Sequence, residues 1–574
     1  MFFGDSPTEI VYHVAGIGIK YDMESKQQLF NLQHDDDIVC CAVHPEGHTV
    51  ATGELGKKPK IVLWDSNSGS TLAVCVGFHS RGVNLIQFSG DGKLVYSVGM
   101  DDDHSVAVYG ADPDTNMGQL IAKAKGSRSK MLGLCSLGAR DFCTAGKREV
   151  KFWSCDVVKG EISSKKGLFG KKAGSTTCVS CCYLGPDCVT GQVDGSLYLW
   201  KGRNVSVVRR EHGKCVNTLG KWGGGLVSGG KDGLVILWSE SLVKQRVFDL
   251  NDFKSDVIRK EVRSVCCMEQ KVLVGAYSSE ILELDLATGE DRLILSGHYG
   301  GELWGLDNNP VTSNVCTVGD DGLMCVWDTK KCERVGVGLL GGKARSVSYN
   351  DDGTFIAVGM YSGNVVVFED GSGKLTKKVD VKIAKEWIQV LKYSPDGSHL
   401  AVGSHDNCIY LVETRTYTRR VVCKGHSSFI THLDWSADSK FIQSNCGAYE
   451  LLFWNAKDGK QVKNPSSLKD TVWASWTCVL GWPVQGIWGQ GKGGGEIDAC
   501  CRVGSNLVVG GDDGKVSLFR YPCLKVGSGV KEYSGHSSHV TNVVGGFDGD
   551  KVFSVGGLDR ALLQFGVSKG ISSS

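Results

Sequence analysis

Short apolar runs and polar turns alternate along this chain in one recurring unit. Each copy opens on a polar turn, often Gly-His, and passes into a short apolar strand. A second strand ends in Gly or Ser, an Asp- and Gly-rich turn follows, and a further apolar run closes on Trp or a substitute. The clearest copies are HDDDIVCCAVHPEGHTVATGE with KIVLWD (34–65), GLVSGGKDGLVILW (225–238), NVCTVGDDGLMCVWD (314–328) and NLVVGGDDGKVSLF (506–519). Closing positions align at Trp64, Tyr109, Trp153, Trp200, Trp238, Leu284, Trp327, Phe368, Val412, Trp454, Phe519 and Phe565. The intervals run from 38 to 47 residues, except one of 65 between Trp454 and Phe519 that marks an insertion.

The turn pairs Asp232-Gly233, Asp321-Gly322, Asp396-Gly397 and Asp513-Gly514 each join two β-rich runs, as a hairpin requires. A period of roughly 40–45 residues with Gly-His and Trp-Asp marks predicts an all-β chain of WD-repeat propeller blades, four strands to each. A blade cannot bury both faces alone, so blades stack radially until the ring closes. EIVYHVAGIGIKYD (9–22) also reads as two strands, a partial thirteenth unit. That is too many for one ring of roughly four to eight blades. The expected architecture is two tandem β-propellers of six to seven blades each, divided near 291–297. Residues 1–33 are expected to add strands to the first propeller, 34–293 to form it, and 294–570 to form the second, with an atypical insertion at about 461–499.

Composition fits this picture. The chain has 77 Gly and only 10 Pro, so its many turns are made mainly by glycine. Formal net charge is +1 and the balance holds in both halves, which argues against a dedicated nucleic-acid binder. Docking by charge would therefore use local patches. MFFGDSPTE shows no secretory signal, and no apolar run approaches the roughly 20 residues of a membrane span. The 23 cysteines are expected to be reduced thiols of a cytoplasmic protein.

Several motifs tempt and then fall short. Cys-Cys pairs at 40–41, 181–182, 266–267 and 500–501 recur at similar places in four repeats, so one Cys of each pair is expected to fill each neighbouring layer. Zinc would need four ligands at one place. GIWGQGKGGG (486–495) approaches a phosphate loop but has Gly493 where a hydroxyl is needed. GVSKG (566–570) spells a nucleophile elbow without its strand-to-helix turn. Asp35–Asp37 and Asp101–Asp103 lack the spacing of a calcium loop. His298, His426 and His536 are expected to bond within their own blades. No cofactor, metal or catalytic residue is expected, and an enzyme would need acid–base groups converging in a propeller channel.

The irregular text is more specific. WASWTCVLGWPVQGIW (473–488), GEIDACCRVGSNLVVGGDDGKVSLFRYPC (495–523) and SGHSSHVTNVVG (534–545) closely resemble the second propeller of the echinoderm microtubule-associated protein-like family. Residues 9–22 with Gln33-His34 resemble the end of that family's hydrophobic motif. The resemblance spans essentially the whole chain. It implies a tandem propeller pair that associates with tubulin or microtubules and with other microtubule-associated proteins. No heptad run and no basic Ser/Thr-rich stretch accompanies it here. A chain reduced to its propellers suits a fixed place in an assembly such as the ciliary axoneme.

The expected role is thus a non-enzymatic scaffold at cytoplasmic microtubules, with no nucleic-acid, membrane or small-molecule partner. The alternative is a general WD-repeat adaptor without tubulin contact. Basic clusters are the candidate contacts, because tubulin surfaces are acidic. They are Lys57, Lys58 and Lys60; Lys165, Lys166, Lys171 and Lys172; and Arg415, Arg419 and Arg420.

Overall fold

The computed structural model describes residues 1–171, 173–371, 373–489 and 496–567. Among them thirteen antiparallel sheets follow one another along the chain, eleven of four strands and two of three. Among the described residues helix is confined to four short 3₁₀ turns, and no helix is long and apolar enough to cross a membrane. The chain divides into two compact units, Met1–Gly297 and His298–Ser574.

The first unit holds seven sheets, blades 1 to 7, over 2–31, 38–75, 83–124, 131–166, 178–210, 216–249 and 262–295. First strands are neighbours around the ring: Val83–Phe88 lies beside both Ile38–Val43 and Met131–Leu137. The ring closes where Phe2–Phe3 of blade 1 meets Val262–Met268 of blade 7. Glu9–Val14 and Ile17–Asp22 are the two strands expected of 9–22, and Phe2–Phe3 and Gln28–Asn31 complete their sheet. Every sheet is one unbroken stretch of chain.

The aromatic closing residues lie in the third strand, and a fourth strand follows in all but the two three-stranded sheets, those of Trp454 and Phe565. In blade 4 the fourth strand is Glu161–Lys166, EISSKK, with five of its six residues exposed. A strand so placed carries no apolar alternation, which is why the repeat pattern does not display it. Of the Asp-Gly turns, Asp232-Gly233, Asp321-Gly322 and Asp513-Gly514 join second to third strands, whereas Asp396-Gly397 joins a first strand to a second.

Trp238, Trp327 and Trp454 are each held by a hydroxyl shared with a histidine, whereas the indole N–H of buried Trp64 has no partner among the described residues. His212 Nε2 and Trp238 Nε1 both reach Ser228 Oγ at 2.8 Å, and Asp232 holds His212 Nδ1 at 3.1 Å. Thr317 serves His298 and Trp327 in the same way, and Ser444 serves His426 and Trp454. His536 bonds to Ser554 and Asp559. These groups satisfy one another inside the blade, so the buried polar atoms cost little.

The second unit holds six sheets, blades 8 to 13, over 303–339, 344–382, 388–424, 430–455, 497–533 and 540–566. It closes where Leu303 N–H donates to the Gly557 carbonyl at 3.0 Å and Thr541 Oγ1 donates to the Leu303 carbonyl at 2.7 Å. The irregular segment after blade 11 is a wedge between blades 11 and 12. Ala474 N–H donates to the Trp435 carbonyl at 2.9 Å, at the end of blade 11's first strand. Wholly buried Asp434 accepts the backbone N–H groups of Thr477 and Cys478 at 2.9 and 3.0 Å, and the Ser475 hydroxyl at 2.5 Å. Trp476, Val479, Val484 and Ile487 then pack on Leu507, Val509 and Cys523 of blade 12. Residues 490–495, which include most of the phosphate-loop-like text, lie outside the described residues, as do 568–570 of GVSKG.

Candidate functional site

Antiparallel strand order puts three parts of each blade on one rim: the start of the first strand, the turn between second and third, and the end of the fourth. Between blades 3 and 4 of the first unit this rim gathers positive charge. Lys125 and Arg128 come from the connection between the blades, Lys147 and Arg148 from the second turn of blade 4, and Lys151 and Lys166 from its third and fourth strands. They line a cavity of about 630 Å³ that contains only two carboxylates, Asp103 and Glu149. The two-residue turn is tight, and Arg148 takes a left-handed φ of 59°.

The carboxylates do not neutralise the site. Lys166 pairs with Glu149 at 2.9 Å and Lys125 with Asp103 at 3.0 Å. Ser127 also donates to Glu149, and Lys151 donates to the Gly126 carbonyl. Burial pushes the Glu149 pKa up, but Ser127, Lys166 and Lys151 outweigh it and hold this carboxyl below its ordinary range. Arg128, Lys147 and Arg148 are exposed and make no ion pair among the described residues. An anionic surface would therefore meet three uncommitted cations backed by three committed ones.

The basic residues picked out in sequence divide. Lys166 belongs to this cavity. Lys165 is exposed beside it, registered opposite Phe152. Lys171 is exposed, and Lys172 lies outside the described residues. Lys57 and Lys58 are exposed on the same rim, in the second turn of blade 2. Lys60 is committed to Asp35 at 2.5 Å and the Gln33 carbonyl at 3.1 Å. Arg415, Arg419 and Arg420 belong to the second unit. Arg415 is exposed, Arg420 is paired with Glu413 at 2.8 Å, and Arg419 lies over the Tyr410 ring at 5.4 Å. Lys125, Arg128, Lys147, Arg148 and Lys151 escaped notice because they are scattered over separate turns. The signal for them was equivalent turn positions in one repeat, not a run of charge. The acidic triplet Asp101–Asp103 is dispersed: Asp101 bonds Ser105, Asp102 pairs with Arg81, and Asp103 with Lys125.

The second unit has a central channel of about 1010 Å³, lined by the first strands of all six blades. At its mouth the Arg345 guanidinium lies 4.0 Å from the Trp304 ring centroid and 5.0 Å from that of Trp387. Asp320 pairs with Arg345 at 3.3 Å, outside hydrogen-bond geometry. His405 sits between Trp387 and Phe429, with centroids at 4.0 and 4.3 Å. Burial, then the Arg345 charge, lowers the His405 pKa to about 4. On the facing wall, burial and then the Asp512 and Glu496 carboxylates push Asp498 up to about 8. A perturbed carboxyl in a cavity is a hint of acid–base chemistry. However, among the described residues the Asp498 Oδ2 atom has no hydrogen-bond partner, and His432 reaches the Asp498 backbone carbonyl at 3.0 Å, not its carboxyl. The groups acting on this carboxyl are Asp512 and Glu496, and the mouth, built of Arg345 and aromatic rings, has the make-up of a binding surface.

Comparison with known proteins gives matches over both units. Residues 27–284 match the family model described as the echinoderm microtubule-associated protein first beta-propeller, and 303–567 match that of the second beta-propeller. The chain is 36% identical to rat "Echinoderm microtubule-associated protein-like 2" over 98% of its own length and 88% of the relative's. It is 33% identical to the "77 kDa echinoderm microtubule-associated protein" of Strongylocentrotus purpuratus, over 97% of this chain and 83% of that one. It is 35% identical to human "Echinoderm microtubule-associated protein-like 1", over 97% and 70%.

Proposed function

Because this chain belongs to the echinoderm microtubule-associated protein family, we propose that it is a microtubule-associated scaffold that docks acidic tubulin surfaces on the basic rim of its first propeller. One observation carries the choice of surface. In a chain of net charge +1, six cations converge on a cavity with two carboxylates, and three of the six are exposed and unpaired among the described residues. Such a patch steers an acidic partner even when the whole molecule is neutral. In this reading the chain acts without catalysis and resides with cytoplasmic microtubules, including those of a ciliary axoneme.

The test is co-sedimentation of the purified chain with taxane-stabilised microtubules at low salt, alongside the Lys147→Glu, Arg148→Glu double variant. The wild type is expected in the pellet and the variant in the supernatant. Equal pelleting of both would reject the rim as the contact. Failure of the wild type to associate with either microtubules or tubulin dimers would favour the adaptor reading, for which the Arg345–Trp304 mouth of the second propeller offers a peptide-sized surface.

A further inference from the structure

Cysteines placed as fillers on alternate faces of a strand should part company, and most do. Cys40 and Cys41 join different core clusters, as do Cys500 and Cys501. Cys182 follows the rule too, facing blade 6. Its neighbour Cys181 meets other thiols.

Cys135 and Cys143 stand opposite each other in register across the first two strands of blade 4. In blade 5, Cys188 is registered opposite Tyr183, two residues beyond Cys181 in the first strand. Alternation along a strand puts Cys181 and Cys188 on one face. That face packs on blade 4, so five thiols from two blades share one core cluster, these four and Cys178 at the start of blade 5. The sulfurs of Cys135, Cys143 and Cys188 all lie within 4.8 Å of one another. The Cys181 thiol interacts with those of Cys135 and Cys143 and lies 4.0 Å from the Cys143 carbonyl oxygen. Each of the four is at most 9% exposed, and none is in a disulfide. Among the described residues the other such group of ligand types is His426, Cys446 and Glu450. There His426 is already engaged by Ser444 and Glu450 within its blade.

We propose that Cys135, Cys143, Cys181 and Cys188 bind a structural zinc ion that ties blade 4 to blade 5. Three of the sulfurs already lie within 4.8 Å of one another; Cys181, outside that trio and turned to the Cys143 carbonyl, has to rotate toward it to complete a tetrahedral ion with Zn–S bonds of about 2.3 Å. Each thiol gives up its proton to solvent as its S–Zn bond forms, and nothing is oxidised or reduced. All four positions are filled by protein, so the ion adds stability and leaves no open site for a substrate. Asp141–Gly146, which carries Cys143, leads directly into the Lys147-Arg148 turn, so the same ion would stiffen the basic rim.

Elemental analysis of the full chain, purified without chelators from zinc-supplied cells, tests this. The expected content is about one zinc per chain, with refolding in cobalt(II) giving the intense visible bands of a tetrahedral thiolate site. Cys143→Ser and Cys188→Ser are expected to lose the metal, and Cys40→Ser to keep it. A wild-type chain with neither zinc nor a tetrahedral cobalt spectrum overturns the proposal. So does full zinc occupancy in the Cys143→Ser, Cys188→Ser double variant. If the serine variants do not fold, the wild-type metal content and cobalt spectrum decide alone.

Discussion

The carboxylate of Asp434 accepts the backbone N–H of Cys478 at 3.0 Å across 44 residues of chain. With the Thr477 N–H and the Ser475 hydroxyl on the same carboxylate, one buried side chain fixes the whole wedge between blades 11 and 12. Asp434→Ala leaves these donors buried without an acceptor and is expected to cost about 3 kcal/mol or more. Asp434→Asn keeps an oxygen and should cost less. Denaturant unfolding followed by tryptophan emission reads both, because Trp476 lies in the wedge core. Equal losses would mean that shape, and not acceptance of these bonds, holds the segment.

Arg345 is buried between two indoles and two acids. Its removal in Arg345→Met leaves Asp320 and Glu302 with Lys343, 3.4 Å from Asp320, as the nearby cation. Breaking a buried pair of this kind is expected to cost about 3 kcal/mol. Arg345→Lys restores the charge but not the flat stacking on Trp304, and should recover only part of the loss. Thermal unfolding of the three proteins ranks them, and a lysine variant as stable as wild type would show that the stacking contributes nothing.

Exposed ion pairs contribute about 1 kcal/mol or less each and fade with salt. Reversing Lys147 and Arg148 together should therefore weaken microtubule binding on the order of tenfold at low salt. The difference should shrink as salt rises. Lys57→Glu with Lys58→Glu, farther along the same rim, is expected to have a smaller effect, and Arg415→Glu none. Sedimentation isotherms over a salt series give the comparison; a salt-independent difference would argue for a folding defect.

Asp498 links stability to pH. Its pKa is raised in the folded chain, chiefly by burial, from 3.8 to about 8. The folded state therefore holds this proton more tightly than the unfolded chain does. Its contribution is fully present below pH 3.8 and is lost as pH rises to about 8. Asp498→Asn mimics the protonated form, so it should stabilise the chain near pH 8 by on the order of 1 kcal/mol, discounted for partial exposure, and have little effect near pH 4. Melting temperatures at the two pH values check the sign.

The fold was largely legible because closing Trp and Gly-His marks recur at similar intervals, and physics requires them where they fall: Trp327 and His298 converge on Thr317. Fourth strands such as Glu161–Lys166 were hidden because exposed residues carry no apolar pattern. The site was less legible. Lys166 stood out as part of a lysine run, while Arg128 and the Lys147-Arg148 pair lie some 20 residues apart and became neighbours only when two blades were set side by side. The thiol cluster was hidden for the same reason. Pairing Cys135 with Cys188 needs the register between blades, which no local pattern encodes.

Because each sheet is one unbroken stretch of chain, its hydrogen bonds can be complete once its own residues have been synthesised. At about 5–20 residues per second, a new blade of roughly 40 residues emerges from the ribosome every 2–8 seconds. The seam contacts, Phe2–Phe3 with blade 7 and Leu303 with Gly557, have to wait for the last blade of their ring. Until then a nascent ring carries one uncovered blade face at each end. The moment of greatest risk to this protein is thus late in the synthesis of each propeller, and a chaperone that shields those two faces would protect it best.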